Sequence, residues 1–133
     1  MVGEQEILKK LVVDEKDLTR DLEKLVEQVV NIFRIEKTSG RIIFEDFESL
    51  SDKQRIFVLL VGKYYAKRLN ITKDASMNIA EIAKELHRPK TTLSKPLGQI
   101  YKDGFVEKLP QGKYIIVHHR IKDIINKKLL TPK

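Results

Sequence analysis

Directly after Arg88 the chain sets down Lys90, Thr91, Thr92, Ser94 and Lys95, cations and hydroxyls in close succession. Such groups have one chemistry in common. Ammonium and guanidinium groups neutralise phosphate, hydroxyls bond phosphate oxygens or base edges, and the free amides at a helix start attract the same anions. Gln99, Lys102, Lys108, Gln111 and Lys113 follow within a short stretch. Together they point to recognition of a polyanion.

Other chemistry finds less material. There is no cysteine, which removes disulfides, thiolate metal sites and thiol nucleophiles. His118 and His119 are adjacent, so on a helix or a strand they point in different directions and make a poor metal pair. Glu45, Asp46 and Glu48 read as a solvated strand end before a helix, since no histidine or further carboxylate follows at ligand spacing. No P-loop, dinucleotide glycine pattern or serine with a base at motif spacing occurs. No enzyme, cofactor or metal is expected.

The cations need elements to position them. Asn78 is a strong N-cap with Glu81 three residues on, and Met77 with Ile82 makes a hydrophobic staple, so a helix should begin at Ile79. It should bury Ile79, Ile82, Ala83 and Leu86 and end near His87, because Pro89 disfavours helix in the residue before it. A second helix should run to about Lys102, burying Leu93, Leu97 and Ile100. Its outer positions would be Lys90, Thr91, Ser94, Lys95, Gln99 and Lys102. Pro96 offers two choices: a bent helix from Lys90, which is preferred, or a start at Ser94 that leaves Lys90 to Thr92 in the turn. Asp103-Gly104 stops the helix. "FVEKL" and "KYIIV" then read as strands around Pro110-Gln111-Gly112, where proline pre-sets the turn and glycine closes it.

Helix, turn, helix and hairpin is the order of the winged helix-turn-helix family. "IAEIAKEL" resembles its first motif helix, "KTTLSKPLGQIYKDG" its recognition helix and "FVEKLPQGKYIIV" its wing. The resemblance covers about 51–128 and is similar to archaeal and bacterial transcription regulators of the MarR and ArsR kind. It implies double-stranded DNA as partner, for a transcription regulator or a nucleoid-associated protein, with Lys90, Thr91, Thr92, Ser94 and Lys95 at the major groove. Lys108, Gln111 and Lys113 would lie near the minor groove or backbone, and Arg88, Gln99 and Lys102 complete the expected DNA-binding set. Winged helices also serve as protein-binding modules, so the second expectation is an assembly subunit whose basic face meets an acidic partner. RNA is less expected, because no aromatic pair is set out for base stacking.

Charge divides the chain the same way. Residues 1–50 hold 8 Lys+Arg against 12 Asp+Glu, a net −4, and residues 51–133 hold 18 against 7, a net +11. The first part should be a helical segment plus a β-hairpin serving dimerisation or partner contact, the second the winged helix with a C-terminal helix. Leu18, Leu22, Leu25, Val26, Val29 and Val30 form one helical stripe, preceded by Ile7, Leu8, Leu11 and Val12. Strands are expected at about 32–36 and 41–46 around Thr38-Ser39-Gly40. Ser51 with Gln54 opens a helix that is apolar nearly all round, so Phe57, Val61 and Tyr64 should need cover from the N-terminal segment or a second subunit. Lys63, Lys67 and Arg68 give that helix a basic end, which the macrodipole favours without any ligand. Ile121, Ile124, Ile125 and Leu129 form a last apolar face, and this surplus of apolar faces argues for a homodimer. The fold class is α+β, mainly α with little β. The longest apolar run falls far short of the roughly 20 residues that span a bilayer, so no membrane contact is expected. Glu4 and Glu6 and the lack of an apolar leader segment lead to the expectation of no signal peptide, and the absence of cysteine fits a reducing cytoplasm.

Overall fold

The computed structural model describes residues 24–131. The stretch 4–13 and the positions Leu18 and Leu22 lie outside them. A helical segment at 24–29 (α1) buries Leu25 and Val29 and leaves Val26 exposed. Strands β1 (Phe33–Ile35) and β2 (Ile42–Phe44) form an antiparallel hairpin with Phe33 opposite Phe44, shorter than the sequence suggests. Gly40, at φ +74°, makes the turn possible.

Helix α2 (Asp52–Arg68) starts on the expected capping box, in which Ser51 accepts from the Gln54 amide and Gln54 accepts from the Ser51 amide. Its apolar surface is covered within the chain. Phe57 meets Phe105 edge to face at 5.3 Å, and Tyr64 meets His118 in the same manner at 5.2 Å. Gly62 lets β2 approach so closely that a Cβ there would lie 2.6 Å from Ile42 Cδ1. Phe57, Val61 and Tyr64 therefore need no second subunit to be buried.

Helix α3 (Ile79–Leu86) opens on the Asn78–Glu81 capping box, and α4 (Lys90–Lys102) follows after a short turn. His87 takes a left-handed conformation at φ +53°, and the amides of His87 and Arg88 return to the carbonyls of Lys84 and Ala83. That closure ends α3 cleanly before Pro89. Helix α4 is one unbroken run through Pro96, so the start at Ser94 is excluded. At its end Gly104, φ +80°, brings the Phe105 amide back to the Ile100 carbonyl at 3.2 Å.

Strand β3 (Met77–Asn78) was not foreseen. It pairs with β5 (Lys113–Ile116), which also pairs with β4 (Val106–Leu109), giving the antiparallel order β3-β5-β4. Helix α5 (Ile121–Asn126) buries Ile121, Ile124 and Ile125. It stops before Leu129, and Lys128 at φ +56° redirects the chain, so Leu130 is the buried residue and Leu129 only half-buried. One core cluster runs from Leu25 to Leu130 and joins the hairpin to the helices. The architecture is α+β with two small antiparallel sheets. No helix among the described residues is long and apolar enough to cross a membrane.

Candidate nucleic-acid interface

Leu93, Leu97 and Ile100 hold α4 to the core. At ~100° per residue, Thr91, Lys95, Gly98 and Lys102 fall within about 60° of one another on the side opposite that buried stripe. All four are exposed. Ser94 flanks this ridge and its hydroxyl donates to the Lys90 carbonyl at 3.1 Å, so it is partly occupied by its own helix. Lys90, Thr92 and Gln99 are exposed on the two sides rather than on the crest. Helix α4 contains no acidic residue, and Lys90, Lys95 and Lys102 make no ion pair among the described residues.

The helix is braced at both ends by the first turn of α2. Arg88 lies 3.6 Å from Asp52, and Asp103 lies 3.8 Å from Lys53. Asp52 also accepts from the buried Arg55 guanidinium at 3.3 Å, and Arg55 donates to the Phe47 carbonyl and stacks 3.8 Å over the Phe47 ring. At the exit Arg120 donates to the Asp103 carbonyl at 3.4 Å and covers the Phe105 ring. Arg88 is thus more a brace for the turn than an unengaged cation.

Strand register separates the residues expected in the wing. Val106 and Ile116 pair and are both buried; Lys108 and Tyr114, two positions along, share their face. That face looks toward α4, where Tyr101 meets Tyr114 edge to face at 6.2 Å and Lys108 Nζ sits 5.8 Å above the Tyr114 ring. Lys113 points to the opposite face, and its Nζ lies 3.2 Å from Asp74 Oδ2. The Ser76 hydroxyl and amide, 2.7 and 2.8 Å from Asp74 Oδ1, hold the Asp74 carboxyl down to about 2, with Lys113 adding to the pull. Lys108 and Lys113 therefore do not form one patch. Gln111 projects from the hairpin tip at φ +68°.

Two residues on this side escaped the sequence reading. Tyr101, nearly half exposed, meets Tyr114 edge to face, a contact between α4 and the hairpin that the sequence did not indicate. Gly98 sits on the crest itself, and a glycine on the polar side of an amphipathic helix was the available signal. Among the described residues no group of three His, Asp or Glu side chains is placed to hold a metal ion. The chain matches no family model, no curated protein and no solved structure.

Proposed function

We propose that residues 51–128 act as a winged helix-turn-helix that binds double-stranded DNA, with α4 as recognition helix and the β4–β5 hairpin as wing. The observation that carries this reading is the crest of α4: an exposed, acid-free ridge on which Lys95 and Lys102 have no ion-pair partner among the described residues, with Lys90 beside its start. A helix of this width enters the major groove, where cations meet phosphate and hydroxyls meet either phosphate or base edges. Lys108, next to the Tyr101–Tyr114 pair, supplies the wing contact on the same side of the molecule. Transcription regulation is the role in which such a reader would serve.

Duplex binding measured against salt tests the reading. Each phosphate contact should make log K fall with log salt by about 0.9. No binding to any duplex at low salt would overturn it and favour a protein-interaction role for the same face.

Pairing into a two-fold dimer belongs to the proposal. Among the described residues an apolar groove of about 420 Å³ lies between α1, β1 and the end of α2, with Val26, Phe33 and Leu69 in its lining. Leu69 is 62% exposed at its rim. Light scattering should give a dimer mass for the native chain and a monomer mass for Leu69→Glu. A monomer mass for the native chain at micromolar concentration removes the dimer and leaves the DNA reading standing.

A further inference from the structure

Among the described residues two glycines lie inside α-helices, Gly62 and Gly98, and only the first has a reason within the fold. Gly62 makes room for Ile42, three of whose side-chain atoms would stand within 3.2 Å of an added Cβ. An added Cβ on Gly98 would meet nothing within 4 Å, and Gly98 has no positive φ that alanine would resist. A glycine in a helix interior lowers stability relative to alanine, because the unfolded backbone gains freedom. At Gly98 the fold receives nothing in return.

We propose that Gly98 is the point of closest approach between α4 and the sugar–phosphate backbone of duplex DNA, a contact too tight for even a methyl group. The inference rests on the DNA-binding reading above and specifies its geometry. Lys95 lies three residues before Gly98 and Lys102 four after, on the same crest, so the two ammonium groups bracket it along about 10 Å of helix. Thr91 continues the line one turn before Lys95. With no carboxylate anywhere on α4, the crest complements a polyanion and repels none of its charge. A backbone strand lying over the Gly98 Cα would have each lysine reach a phosphate on either side. The helix then leans by its middle on one wall of the major groove, Gly98 fixes the depth, and the first turn keeps its place toward the base edges.

The test uses the full chain with Gly98→Ala and Gly98→Leu, assayed on two duplexes of unrelated sequence. Gly98→Ala should raise the melting temperature by about 4 °C. It should also weaken both duplexes equally, at least tenfold, because backbone contacts carry no sequence information. Gly98→Leu should weaken them further while remaining folded. Binding of Gly98→Ala as tight as that of the native chain overturns the inference alone. A loss confined to one duplex also overturns it, since the glycine would then face base edges. Failure of the native chain to bind either duplex at low salt overturns the DNA reading and this inference together.

Discussion

Lys113 and Asp74 form an ion pair of 3.2 Å on the face of the sheet turned away from α4. A cation already matched to a carboxylate that stays charged down to about 2 releases few counterions when a phosphate comes near. The pairing sets Lys113 apart from the lysines of the α4 crest.

Lys113→Ala should accordingly leave duplex affinity within about twofold and the salt slope nearly unchanged, whereas Lys95→Ala should flatten the slope by about 0.9, one phosphate contact. Titrations of both variants over a salt series check this. Equal flattening would mean that DNA displaces Asp74.

The same pair gives the acid limb of stability a definite sign. Asp74 binds its proton less readily folded, at about 2, than at its ordinary value of 3.8. Its contribution is therefore present above about pH 4 and lost as pH falls toward 2. Asp74→Asn should shallow the loss of stability in that window. The effect should be small, because the side chain is 55% exposed and well screened. Denaturation midpoints at pH 4 and pH 2 would show a converging pair of curves.

Gly62→Ala should act opposite to Gly98→Ala. The new methyl collides with Ile42 and should destabilise by ~1–3 kcal/mol, loosening the hairpin from α2. Duplex affinity of the folded fraction should not change. Urea denaturation of the two variants side by side measures the contrast.

Asp52→Ala removes the acceptor shared by Arg55 and Arg88. Arg55 is 3% exposed, so leaving its guanidinium short of a partner should destabilise by ~1–3 kcal/mol. Arg88 would also lose its anchor at the entrance of α4. A loss below 0.5 kcal/mol in chemical denaturation would show that the Phe47 carbonyl and ring suffice for Arg55.

What could be read from the sequence was local. The capping boxes at Ser51–Gln54 and Asn78–Glu81 are contacts between residues three apart, and the stops at Pro89 and Gly104 act within one turn. The buried stripe of α4 followed from helical spacing alone, and so did that of α3 except at Ile79, which is only half-buried at the helix start. What escaped depends on residues far apart. Met77 and Asn78 look like a staple and a cap, and only pairing with Tyr114 and Lys113 makes them a strand as well. Lys108 and Lys113 look equivalent until the register puts them on opposite faces. Leu129 looked like the core residue because the helical spacing was extended past Asn126, where a left-handed Lys128 shifts burial to Leu130. Gly98 stood in plain view, but its emptiness shows only once its surroundings are known.

The pairing of β3 with β5 also bears on the order in which the chain acquires its shape. Met77 and Asn78, the entry to α3, are held by residues synthesised some three dozen positions later. Hairpin β4–β5 closes over three residues and can form within microseconds of its emergence, whereas β3 must wait for a long loop to close upon it. A nascent chain that has reached Gly112 carries α3 and α4 whole, yet lacks the strand that moors the first of them. The helix pair and its lysine crest should then become fixed only when β5 clears the ribosome, so a translating ribosome would display the cations before it displays a surface rigid enough to use them.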